Sequence, residues 1–161
     1  MRTIMSILVM SAVAVLCRAD ELSVAAQTLQ QQLSSRAPMV VRSWVLSEAQ
    51  RVHSDPRWEE RQVRVDAQAR FAGQPVFGPD LDAMVFMILA EVVQRLDWDI
   101  RRAQIRVDPA RKTAATTNAV AEVCMRQEVE LTKRRAKLAG RADELGRQLS
   151  PLAGTLLQNL R

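Results

Sequence analysis

The chain has 161 residues, with 23 basic against 18 acidic side chains, a formal charge of +5 and a sequence pI of about 10.2. That length suits one domain with a core of its own, and so small a basic excess on a mixed surface argues against nucleic acid, which calls for a dense basic tract. Aromatic residues make up 4% and Tyr is absent, a balance that favours helices packed through aliphatic layers over a sandwich of aromatic and β-branched strands.

Residues 1–19, "MRTIMSILVMSAVAVLCRA", have the layout of a secretory signal peptide. Arg2 supplies the positive start, residues 4–16 are an apolar run broken only by Ser6 and Ser11, and Ala19 is the small residue at the cut. The run is short for a bilayer span. The expected mature chain therefore starts at Asp20 and is exported, to the periplasm or the extracellular space. The alternative is a membrane anchor left uncleaved, for which Arg18 beside the cut speaks. Leu16 before Cys17 is bulky where a lipid-attachment site wants a small residue. Cleavage removes Arg2 and Arg18 and no acid, so the basic excess shrinks, and it leaves Cys124 as the sole thiol, without a partner for an internal disulfide.

Residues 20–161 read as a single helical domain. Residues 20–72 hold the N-terminal helices, expected at about 21–35, 38–53 and 56–72. In "SDPRWEE", Asp55 has the place of an N-cap and Pro56 that of the first helical residue. In "RQVRVDAQARF", alternation of Val63, Val65, Ala67, Ala69 and Phe71 has the strand period, while Val63, Ala67 and Phe71 are helical neighbours; Ala and Gln tip the balance to helix. "AGQPVFGPD", dense in Gly and Pro, marks the main loop at 73–79.

Residues 80–149 are expected to form a C-terminal antiparallel hairpin of two long helices, 80–107 and 109–149, with Asp108 and Pro109 of "VDPARK" repeating the cap device. Val85, Ile88, Leu89, Val92 and Leu96 collect on one side of the first, and Met84, Phe86, Met87 and Val93 add apolar surface elsewhere, so "AMVFMILAEVV" should be covered nearly all round. Asp82 and Glu91 leave only eight uncharged residues between them, where a bilayer needs about twenty. A protein core is the expected environment. On the second helix Cys124, Leu131, Leu138, Leu145 and Leu152 recur every seven residues, with Ala142, Leu149 and Leu156 between, a coiled-coil-like seam interrupted by Glu128 and Arg135. Gly140 and Gly146 weaken that helix by about 1 kcal/mol each relative to Ala. Val85, Ile88, Leu89, Val92, Leu96, Leu131, Leu138 and Leu145 are thus the candidate core or interface residues, and Cys124 on the seam is expected to be buried. "LSPLAG", with Ser150 before Pro151, opens a short terminal helix at 150–161.

Catalytic chemistry finds little material. His53 is the sole histidine, and neither it nor Cys124 sits in a recognisable motif; the sequence has no Gly-rich phosphate loop, HExxH or CxxC. No catalytic residue, metal or cofactor is expected. His53 reads as a helix-end residue making a polar contact. Asp97 and Asp99 of "DWD" read as a solvent face salt-bridged by Arg95, Arg101 and Arg102. "TKRRAK", residues 132–137, is the densest positive cluster; on a helix Glu130 would pair with Arg134 and the other bases spread around the exposed side. Lys133, Arg134, Arg135 and Lys137 are the candidate partner surface. The expected partner is a protein or a second copy, with an anionic membrane surface as the other contact the charge allows. Trp44, Trp58 and Trp98, on three different helices, read as packing anchors.

The composite expectation is an all-α helical bundle with a C-terminal antiparallel long-helix hairpin after a signal peptide. It would act as a non-enzymatic interaction or assembly protein of the cell envelope or extracellular space. The alternative is a small helical sensor or carrier with Met84, Phe86, Met87 and Trp98 lining a pocket for an apolar ligand.

Overall fold

Helices α1 (Val24–Arg36), α2 (Met39–Ser54), α3 (Glu60–Arg70), α4 (Gly78–Ala110) and α5 (Thr116–Leu149) follow one another, and a 3-10 turn, Ser150–Leu152, ends α5. The computed structural model describes residues 22–110 and 116–160, with side chains over 22–105 and 122–160. Among the described residues there is no strand. The signal-peptide reading of residues 1–19 lies outside them.

Local chemistry sets the boundaries, not always where proline suggested. Ser23 caps α1, its Oγ accepting from the Ala26 N–H at 3.2 Å, a cap that the sequence reading missed. Asp55 is not an N-cap: α2 ends there, its Oδ1 accepts from the Arg57 N–H at 2.8 Å, and α3 starts only at Glu60. An Asp two residues before a free N–H forms that turn as readily as it caps a helix. Helix 60–70 follows the helical choice for this segment: Val63, Ala67 and Phe71 are buried and Val65 is half exposed. Helix α4 runs through Asp108 and Pro109 to Ala110, so the proposed break at "VDP" is shifted. In the last turn of a helix a proline forfeits only one backbone bond. The terminal helix expected at 150–161 is also corrected, to the single 3-10 turn followed by irregular turns.

Helix α4 is the centre around which the others pack, in contact with α1, α2, α3 and α5. Every residue from Ala83 to Ala90 is buried, as are Val92, Val93 and Leu96, so the apolar run is the core. It is enclosed by Leu29 and Leu33 of α1, Val41, Val45, Ala49 and Val52 of α2, Val63 and Ala67 of α3, and Leu138, Ala142, Leu145 and Leu149 of α5. Each set recurs at three or four residues, one stripe per helix, and each large aliphatic side chain so buried stabilises the fold by about 1.5–3 kcal/mol. Salt bridges brace the outside: Arg51 joins Glu48 at 2.6 Å and Asp66 at 2.7 Å across α2 and α3, and Arg64 joins α3 to Asp82 of α4 at 2.6 Å.

Along α4 and α5, Gln104 meets Glu128 at 2.8 Å, Asp97 meets Arg135, and Phe86 meets Gly146. As one number falls the other rises. A Cβ on Gly146 would lie 3.3 Å from Phe86 Cε2 and 3.5 Å from Ala26 Cβ, so this glycine offsets its helix penalty by letting three elements close up. The chain end then folds back: Leu156, Leu157 and Leu160 are buried, and the Leu157 N–H, on a residue with φ of 64°, donates to the buried Asp80 carboxylate at 2.7 Å.

Candidate interaction surfaces

Two arginines of α5 organise the α2–α3 connection. The Arg134 guanidinium donates to the carbonyls of Val52, His53 (3.0 Å) and Asp55 (3.1 Å), filling acceptors that the end of α2 leaves open. Burial pushes its pKa down, against the opposing charge of Asp55. Two helical turns on, Arg141 grips Glu60, Nε to Oε2 at 2.8 Å and Nη2 to Oε1 at 3.0 Å, and reaches Glu144 at 2.6 Å. The Glu60 carboxyl is held below its ordinary range, first by the hydrogen bond from Arg141 and further by Arg64; Glu60 and Glu144 in turn raise Arg141.

Between these two clamps lies a groove of about 810 Å³. Trp58 and Pro56 form one wall, Leu131 and Leu138 the other, and Leu89 of α4 the floor; Glu59, Glu130, Lys133 and Lys137 stand at the rim. The sequence signal for it is the stripe Leu131, Arg134, Leu138, Arg141, at intervals of three and four. Reading "TKRRAK" as a string of charges obscured that stripe.

The candidate basic residues accordingly divide. Lys133 is exposed and pairs with Glu130 at 3.0 Å, and Lys137 is exposed. Arg134 caps α2 instead of pairing with Glu130. Arg135 is only 6% exposed and binds Asp97 through Nε and Nη2. It lines a second, polar cleft of about 450 Å³ with Gln30, Gln31, Ser34, Gln94 and Arg101. Among the described residues two buried side-chain atoms lack a partner, Trp58 Nε1 and Arg135 Nη1, and each belongs to a residue lining one of these clefts.

A third surface is the end of α4 and α5 near residues 98–129. Trp98 (62% exposed), Ile105 (69%), Val123 (64%), Met125 and Val129 stand in solvent there, and Cys124, expected to be buried, is only half-buried. The seven-residue seam is covered at Leu138 and Leu145 but not at its ends, where Leu152 is exposed too. The partners of "DWD" also differ from the expected arginines of its own helix: Asp97 binds Arg135, and Asp99 Oδ2 accepts a hydrogen bond from His53 Nε2 at 2.7 Å. The tryptophans stay apart. Trp44 packs edge-on to Phe71 at 5.7 Å, Trp58 walls the groove, and Trp98 lies under Arg101 at 5.7 Å. Met84, Phe86 and Met87 are closed in the core and line no pocket with Trp98.

No helix of the described residues is long and apolar enough to cross a membrane, and among them no group of three or more His, Cys, Asp or Glu side chains is placed to hold a metal ion. No family model, curated protein or solved structure matches the chain.

Proposed function

We propose that this is an exported, non-enzymatic assembly protein that associates with a second copy of itself through the far end of an antiparallel α4–α5 hairpin. The observation that carries the reading is the exposure of Trp98 and Ile105, which share one face of α4, and of Val123 and Val129 on the neighbouring stretch of α5, since large apolar side chains exposed together mark an interaction site. Charge allows a second copy as the occupant. Along the same stretch Glu122 pairs with Arg126 at 2.6 Å and Glu130 with Lys133 at 3.0 Å within α5, so the strip carries no excess of one sign that would repel a second copy. Export rests on the layout of residues 1–19.

Sedimentation velocity of the purified chain tests the association. A concentration-dependent dimer is expected, weakened in the double variant Ile105→Ser, Val129→Ser while its melting temperature is kept. A monomer at every concentration, or a dimer indifferent to the double variant, would overturn the reading. N-terminal sequencing after expression in a bacterial host tests export: Asp20 as first residue supports it, and intact Met1 in the membrane fraction favours an anchor.

A further inference from the structure

The proposed association leaves the groove beside Trp58 unused. We infer that this groove binds a single-chain amphiphile with one carboxylate head, a medium-chain fatty acid in chemical class. Its volume of about 810 Å³ falls within the roughly 300–1,000 Å³ of small-molecule sites, which combine apolar walls with a few placed polar groups. Trp58, Leu89, Leu131 and Leu138 supply the walls and floor. The clamps at Arg134 and Arg141 fix the two ends of the wall that carries Trp58, so the groove is preformed.

The rim specifies the head. Four cations and three carboxylates line the groove, and most are committed: Arg134 to three carbonyls, Arg141 to Glu60 and Glu144, Lys133 to Glu130. Lys137 has no partner among the described residues, and it stands beside Leu138 on the α5 lip. Glu59, on the facing lip, is the uncommitted carboxylate of the lining. One anionic charge balances Lys137, whereas a multiply charged head would meet Glu59 with nothing further to neutralise it. An apolar tail along Leu131 and Leu138 with its carboxylate at Lys137 satisfies both the walls and the rim.

The test is calorimetric titration of the purified chain with decanoate, 1-decanol and decyltrimethylammonium, each below its aggregation limit. Decanoate should bind saturably at one per chain, about tenfold or more tighter than decanol, with no saturable binding of the cation. Lys137→Glu, on an exposed residue, should weaken decanoate by about tenfold or more at unchanged melting temperature, and Leu131→Asn should weaken it through the wall. Ile105→Ser should leave it unchanged, which separates this site from the self-association surface. Absence of saturable decanoate binding, equal binding of decanol or of the cation, or indifference to Lys137→Glu would each overturn the assignment.

Discussion

Arg141 and Glu60 meet fork to fork, Nε to Oε2 at 2.8 Å and Nη2 to Oε1 at 3.0 Å, across 81 positions of sequence. Bidentate pairs of this kind are shorter and stronger than neutral hydrogen bonds and fix orientation as well as distance. Here the pair pins the first residue of α3 to α5, and with the Arg134 cap it sets where Trp58 stands.

The pair makes stability depend on pH. Because the Glu60 pKa is lowered in the folded chain, chiefly by Arg141, its contribution is present above the unfolded carboxyl value of about 4.3 and lost as pH falls through the lower folded value. Melting temperature measured from pH 7 to pH 3 should fall more steeply for the wild type than for Glu60→Gln. At neutral pH Glu60→Gln should cost about 1–2 kcal/mol. Parallel curves for the two proteins would mean that the ion pair contributes nothing.

Arg134 should behave as a cap, not as a surface charge. Arg134→Lys keeps the charge but loses the planar fork that reaches three carbonyls, so it should destabilise nearly as much as Arg134→Ala, each by about 1–3 kcal/mol. Lys137→Ala, on an exposed neighbour, should stay within about 0.5 kcal/mol of the wild type. Hydrogen exchange would localise the effect: amides in the last turn of α2 should exchange faster in Arg134→Lys. Retention of stability in that variant would place its value in charge alone.

Asp80 should hold down the chain end. Removing its carboxylate leaves the Leu157 N–H buried without an acceptor, and an orphaned buried donor costs about 1–3 kcal/mol. Asp80→Ala should therefore lower the melting point and speed proteolytic trimming after Arg147, while Asp82→Ala, on a half-exposed neighbour, should do so much less. Equal trimming in both variants would argue that Leu156, Leu157 and Leu160 hold the segment by packing alone.

What was legible in the sequence is what periodicity encodes. The all-helical class, the run 83–93 as core, and the helix at 60–70 follow from side chains spaced for one face, and burial of Val63, Ala67 and Phe71 repeats the pattern residue by residue. Boundaries were less legible, because Asp-Pro serves equally as a helix start and as a turn, and only tertiary contact decides; Arg134 closing the end of α2 is that contact at Asp55. The groove was legible on one side only, as the stripe Leu131, Arg134, Leu138 and Arg141. Its two sides come from residues 56–60 and 127–141, and no local pattern announces that Trp58 faces Leu138. Cys124 shows the converse: a seven-residue spacing marks a face but cannot say how far the neighbouring helices extend to cover it.

The last prediction sets two isoleucines of α4 against each other. Ile88 is fully buried on the apolar stripe and Ile105, about 100° away around the same helix, is 69% exposed. Ile88→Asp buries a carboxylate with no partner and should cost several kcal/mol, enough to unfold a domain of ordinary marginal stability. Circular dichroism should show lost helix or a much earlier melt. Ile105→Asp places the same charge in water and should leave helicity and melting intact, within about 0.5 kcal/mol. If the chain self-associates as proposed, sedimentation should then show the association weakened in Ile105→Asp, because a charge would enter the apolar contact. A folded Ile88→Asp would defeat the core, and a folded, still dimeric Ile105→Asp would move the association surface away from this end of the helix pair.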